Sequence, residues 1–195
     1  AKPITIPITP AIREQLEWFK ADTTLTGDYL LPIITWFTMK IAVFSDTHGL
    51  AQGMIDAVRE YRPDQVIHLG DGMRDAQRLS REFPTIPVCT VPGNCDYDSY
   101  EPEYKVVDLG GMKAFLTHGH RYAVRSGRLD TLLYAAECSG AQIVMFGHTH
   151  RAGYDNIGGL FVLNPGTAGQ GLDRTWAKLE LGPTGEIHCE ICKIK

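Results

Sequence analysis

Five short apolar runs in this chain each end on a side chain able to bind a metal ion. That recurrence constrains the fold more than any other feature of the sequence. Residues 41–44 lead into Ser45-Asp46-Thr47-His48, residues 66–69 into Gly70-Asp71, and residues 88–91 into Pro92-Gly93-Asn94. Residues 114–116 lead into Thr117-His118, and residues 143–146 into Gly147-His148-Thr149-His150. Short, continuous apolar runs fit strands buried on both faces, the environment of a parallel sheet flanked by helices. In open α/β sheets, ligands bind beyond the carboxyl ends of the strands. Five such ends in one sheet would bring these polar side chains together. Gly70, Gly93 and Gly147 directly precede the polar residue, and glycine permits both a sharp turn and a close backbone approach.

The rest of the chain fits this frame. Helical patterns are expected over 54–60, 75–82 and 128–138, between strands at 41–44, 65–69, 86–91 and 142–146. Alternating strands and helices indicate an α/β fold with a parallel sheet. Residues 105–109 and 113–117 flank Gly110-Gly111, a hairpin signal. Strands at 160–163, 176–181 and 187–191 close the chain and make its second half richer in antiparallel pairing. The organisation changes at Met39. Residues 1–38 are read as an N-terminal extension or appendage and residues 39–195 as the main domain, with Met39 resembling a natural start. Within the extension, Thr9-Pro10 reads as a helix start. Ile12, Leu16 and Phe19 then form one apolar stripe. Residues 22–28 read as a linker and 29–37 as a short extended piece.

The converging side chains are two aspartates, one asparagine and four histidines. Mixed imidazole and carboxylate donors suit Mn, Fe, Co, Ni or Zn rather than Ca or Mg alone. Seven donors are too many for one tetrahedral ion and suit two divalent ions sharing a carboxylate, with Asp71 the natural bridge.

Composition narrows the partners. With 19 Lys+Arg against 23 Asp+Glu, the formal net charge is −4. Proteins that grip nucleic acid by its backbone are normally basic, which argues against that class. Five scattered cysteines are not a disulfide framework and favour a reducing, cytoplasmic setting. Cys189-x-x-Cys192 is read as structural rather than as half of a zinc site, because no second pair exists. Residues 1–10 do not read as a signal peptide, and no apolar stretch reaches the roughly 20 residues that a membrane span needs, so a cytoplasmic protein is expected.

Taken in order, Asp46-x-His48, Gly70-Asp71, Gly93-Asn94, His118 and Gly147-His148-x-His150 resemble the motif series of the calcineurin-like metallophosphoesterases. The short length and the Gly93-Asn94-Cys95-Asp96 variant resemble the small YfcE/Vps29-like phosphodiesterase branch. The resemblance spans residues 39–195. It implies a two-sheet β sandwich flanked by helices, in four αββα layers, with a dimetal site at strand carboxyl ends. It also implies a metal-dependent phosphodiesterase whose dimetal-activated hydroxide attacks phosphorus in a small phosphodiester substrate. Carried over by motif, Asp46, His48 and His150 hold one ion, Asn94, His118 and His148 the other, and Asp71 bridges. Asp71, Asn94 and His120 are the expected catalytic participants. Manganese is the first choice of metal, with Ni, Fe, Co and Zn as alternatives. A homo-oligomer is left open, and the alternative is a non-catalytic metal-binding scaffold of the same fold.

Several neighbours need separate treatment. Larger family members carry a histidine after the motif asparagine, and here that position is Cys95. A thiol is a poor substitute for an imidazolium acid at neutral pH, which favours diesters over monoesters. His120 follows His118 by two residues and is expected to face substrate, with a backbone-bonded loop histidine as the alternative. Asp96 is read as either an orienting group or an exposed loop carboxylate. His68 is expected in the core or in support of the ligands rather than as a ligand itself, and His188 on the surface. Arg74, Arg121, Arg125 and Arg151 are candidate phosphate forks.

Overall fold

A computed structural model describes residues 38–195, so the helix expected after Thr9 and the extended piece at 29–37 lie outside the described residues. The first half alternates strands and helices: β1 Met39–Phe44, α1 Ala51–Tyr61, β2 Gln65–His68, α2 Met73–Glu82 and β3 Val88–Thr90. A hairpin follows, β4 Tyr104–Leu109 and β5 Met112–Thr117, then α3 Asp130–Cys138 and β6 Ile143–Met145. The chain ends in β7 Gly153–Ile157, β8 Leu160–Asn164, β9 Thr175–Leu181 and β10 Ile187–Lys193.

These strands form two five-stranded sheets, ordered β10-β9-β1-β2-β3 and β4-β5-β6-β8-β7. In each sheet the strands that carry the motifs run parallel: β1 with β2 and β2 with β3, then β5 with β6 and β6 with β8. Antiparallel partners close the edges. Side-chain alternation decides the layering. Ile41, Val43, Ala114, Leu116, Ile143 and Met145 face the layer between the sheets. Ala42 and Phe44 face outward to α1, through Met54, Ile55 and Val58. Phe115 and Val144 face outward to Leu132 and Ala136 of α3. Both faces of each motif strand are therefore covered, which is why these strands read as unbroken apolar runs. The four-layer sandwich expected from the resemblance is what the chain forms.

The reading of five strand ends in one sheet is corrected. Asp46, His48, Asp71 and Asn94 follow strands of the first sheet, whereas His118, His148 and His150 follow strands of the second. The physical cause is the connection between β3 and β4. It crosses from an edge of one sheet to an edge of the other, and the Gly110-Gly111 hairpin then starts a new set of pairings. The two sheets face each other so that their carboxyl ends meet at one rim.

Strand β7 was not anticipated. Its residues Gly153–Ile157 are mostly exposed and lack an apolar alternation, and the strand is held as an edge by pairing with β8. Cys189 packs against the inter-sheet core and Cys192 against the outer cluster. The two thiols thus sit on opposite faces of β10 and cannot share an ion.

Candidate metal centre

The backbone at this rim is strained where the candidate ligands sit. Among the described residues, seven non-glycine residues have positive φ, and five of them are Asp46 (55°), His48 (48°), Asp71 (55°), His148 (66°) and His150 (58°). Left-handed backbone is costly for a residue with a Cβ and persists where the surroundings over-determine it, typically at functional sites. Gly70 has φ of 94° and no room for a Cβ beside Gly93 and His118. Gly147 is packed so closely on Ser45 and Asp46 that a Cβ would collide with both side chains.

Each aspartate is split in function. Asp46 is fully buried. Its Oδ2 accepts hydrogen bonds from Ser45 Oγ at 2.5 Å and from the His148 N–H at 3.1 Å. Its Oδ1 is buried and has no hydrogen-bond partner. It faces His150 Nε2 at 3.1 Å, outside hydrogen-bonding geometry, and His48 Nε2 and His118 Nε2 at 3.9 Å each. Asp71 repeats the arrangement. Its Oδ1 accepts the Cys95 N–H at 2.7 Å, while Oδ2 faces His118 Nε2 at 3.5 Å and His48 Nε2 at 3.8 Å.

His118 is fixed by its other nitrogen. Nδ1 lies 2.7 Å from the Leu69 carbonyl oxygen, which can only accept, so Nδ1 carries the proton. Its Nε2 faces Asp71 Oδ2 at 3.5 Å and hydrogen-bonds with Asn94 Oδ1 at 3.2 Å. Burial pushes the His118 pKa down, but the Asp71 and Asp46 carboxylates outweigh it and raise it. Burial likewise opposes ionisation of Asp71, yet His118 and the Cys95 N–H hold its carboxyl well below the usual range. The opposite holds for His148. Burial, with the nearby His118 and Arg125 charges, pushes it down to about 4, leaving a neutral imidazole at pH 7. Its ring lies 4.9 Å from that of His118, centroid to centroid.

Two sets of donor atoms within 4.8 Å of one another emerge: Asp46 with His48 and His150, and Asp46 with Asp71 and His118. A third joins His48 and Asp71 to the Cys95 thiol. An orphaned buried carboxylate oxygen inside a ring of imidazole nitrogens is the donor chemistry a divalent transition ion fits.

A supporting layer holds the ligand loops in place, and sequence reasoning gave it too little weight. Asp96 is no idle loop carboxylate. Its two oxygens accept the backbone N–H groups of Asp71 at 2.7 Å, Gly93 at 2.9 Å, Met73 at 3.0 Å and Gly72 at 3.1 Å. It thereby caps α2 and ties the β2 loop to the β3 loop. His68, fully buried as expected, accepts the Gly70 N–H on Nδ1 and therefore donates from Nε2 to Thr47 Oγ1. Thr47 in turn donates to Asp75 at 2.5 Å. Thr167 Oγ1 donates to the Asp46 carbonyl at 3.0 Å. The sequence signal for Asp96 is its place in Gly93-Asn94-Cys95-Asp96 and that for His68 its position inside the apolar run 66–69; Thr47, Asp75 and Thr167 carry none.

His120 stands beside the cluster, its ring centroid 5.5 Å from His118 and 6.2 Å from His148. Its Nδ1 is buried and unpartnered, contrary to the backbone-bonded alternative. Of the arginines, Arg121 is committed to Glu103 through a two-pronged pair, with Nη2 at 2.7 Å. Arg74 pairs with Asp98 at 3.3 Å, and Arg125 donates to the His148 carbonyl at 3.3 Å.

Two facing mixed sheets carry at their shared rim Asp, Asn and His donors that could hold divalent metal ions. Residues 39–181 match the calcineurin-like phosphoesterase superfamily domain, and the chain belongs to that family. It is 32% identical over 131 residues to the probable metallophosphoesterase YsnB of Bacillus subtilis, covering 66% of this chain and 75% of that protein. It is 25% identical over 147 residues to the phosphodiesterase MJ0936 of Methanocaldococcus jannaschii, covering 66% and 83%. Among solved structures, a conserved predicted phosphoesterase from Streptococcus pneumoniae superposes with a TM-score of 0.64 at 26% identity, covering 80% of this chain and 98% of that one. Vps29 of Entamoeba histolytica in complex with zinc shares the fold, with a TM-score of 0.62 at 22% identity, covering 80% and 100%.

Proposed function

We propose that the protein is a metal-dependent phosphodiesterase with two divalent ions. The observation that carries this reading is the buried, unpartnered Asp46 Oδ1 facing the nitrogens of His48, His118 and His150. Asp46, His48 and His150 would hold the first ion and Asn94, His118 and His148 the second, with Asp71 shared between them. Two such ions, when bound, activate a water at neutral pH and stabilise the attacking and leaving oxygens of an in-line displacement. The remaining work falls to the chain. Asp71 and Asn94 fix the reacting centre, and His120 contacts substrate from its place beside the His118 and His148 rings.

Preference for diesters rests on Cys95. Burial and the Asp71 carboxylate raise its thiol to about 11, so it stays protonated at neutral pH and is a feeble acid for a poor leaving group. Manganese is our first choice of metal, with Ni, Fe, Co and Zn as alternatives that mixed imidazole and carboxylate donors also accept. All five cysteines are free thiols, in keeping with a cytoplasmic setting. Among the described residues, no helix is long and apolar enough to cross a membrane.

The test is a metal-by-substrate screen on purified metal-free protein, comparing aryl diesters, aryl monoesters and cyclic nucleotides across Mn, Ni, Co, Mg and Zn. Diester turnover that exceeds monoester turnover supports the reading. No turnover with any metal favours the second reading, a metal-binding scaffold, whose support is the shared fold of Vps29.

A further inference from the structure

The connection between β3 and β4 supplies more than Asn94. It forms one wall of a cleft of about 760 Å³ that runs from His48, Asp71 and Cys95 outward to Tyr97, Tyr100 and Glu101. Tyr97 and Tyr100 are 88% and 103% exposed. Among the described residues, neither ring packs on another ring and neither hydroxyl has a hydrogen-bond partner. Tyr97 lies two residues past Cys95, so its Cα is within about 7 Å of the Cys95 Cα. Its position on the wall is set by Asp96, whose carboxylate is locked to four backbone N–H groups.

The charges along this wall are already matched. Asp98 pairs with Arg74, and Glu101 pairs with Lys105 at 2.6 Å. Asp75 is used by Thr47 and by the Gly49 N–H at 2.8 Å. Among the described residues that line the cleft, Arg74 is the one arginine or lysine, and it is paired. The wall offers two aromatic faces instead. Resting on the hydrolase reading for the position of the phosphoryl group, we infer that Tyr97 and Tyr100 form a subsite for a planar, uncharged aromatic arm of the ester. The arm is an aryl group or a nucleobase. Stacking on such rings tolerates either, because both present a π face.

The experiment uses the full chain loaded with zinc and two ligand pairs of matched charge: phenylphosphonate with methylphosphonate, and thymidine 5′-monophosphate with ribose 5-phosphate. Affinity is read by NMR titration, together with the shift of the ligand's ring protons. The ring-bearing member is expected to bind about tenfold more tightly, with its ring protons moved upfield, a factor within the usual range for aromatic stacking. Replacing Tyr97→Ala and Tyr100→Ala together erases that preference and leaves methylphosphonate affinity within about twofold, since exposed side chains rarely affect folding. The Tyr97→Phe, Tyr100→Phe protein keeps it. Preference in one pair alone identifies the arm as aryl or nucleobase. Equal affinities in both pairs, or a preference that survives the alanine pair, overturn the inference. A protein that shows the preference but hydrolyses no phosphoester keeps the subsite and sinks the hydrolase reading. Hydrolysis without the preference does the reverse.

Discussion

Asp71 Oδ1 accepts the backbone N–H of Cys95 at 2.7 Å, and this bond turns Oδ2 toward His118 and His48. The carboxylate is thereby oriented before any ion arrives. Asp71→Ala removes both the oriented oxygen and the acceptor of that N–H. Metal content should fall for both sites, with affinity reduced at least about 100-fold and hydrolysis lost in step. Metal analysis of the purified variant checks this, and a variant with full metal content would sink the bridging assignment.

His118→Ala should act more selectively. The imidazole faces Asp71 and Asn94, so its loss should empty chiefly the second site and leave about one ion per chain. Retention of two ions would move His118 out of the ligand set.

Asp96→Ala strands the N–H groups of Asp71, Gly72, Met73 and Gly93 and uncaps α2. A lost cap and unsatisfied donors each cost about 1–2 kcal/mol. The variant should therefore lose about 2–4 kcal/mol in urea unfolding and also bind metal more weakly. Asp96→Asn, with a single acceptor oxygen, should fall between. Unchanged stability for the alanine variant would show that the four bonds are not made in solution.

The metal-free protein should carry a pH signature of Asp71. Its folded pKa lies below the unfolded one, so its contribution to stability is present above about pH 4. That contribution is lost as pH falls through the depressed value. Asp71→Asn should flatten the fall in melting temperature below pH 4, and an identical acid limb in both proteins would contradict the shift.

Removal of residues 1–38 should leave metal content and turnover unchanged if that segment is an appendage. A truncated chain that fails to fold would make it part of the domain.

Most of the motif strands were readable because both their faces are buried, which leaves an unbroken apolar signal. The ligands were readable because each ends such a run. Harder to read was which sheet each strand joins. Nothing local in 88–91 distinguishes a strand followed by a crossover from one followed by a return. Strand β7 is an exposed edge and so has no apolar period to detect. Asp96, Thr47 and His68 act through contacts with residues distant in sequence, and such contacts leave no spacing. Arg121 looked available for phosphate only because Glu103 lies 18 positions away.

The division of the ligands between two sheets makes the apolar interior a spacer for the chemistry. Asp46 and His118 stand on opposite slabs, 3.9 Å apart at their facing atoms. What separates those slabs is the bulk of side chains such as Val43, Leu69, Leu116 and Met145. Interiors packed to crystal density transmit the loss of even one methylene. A silent-looking trim such as Leu116→Val should thus be felt as a change in the gauge of the donor set, read as a shift in relative affinity for ions of different radius.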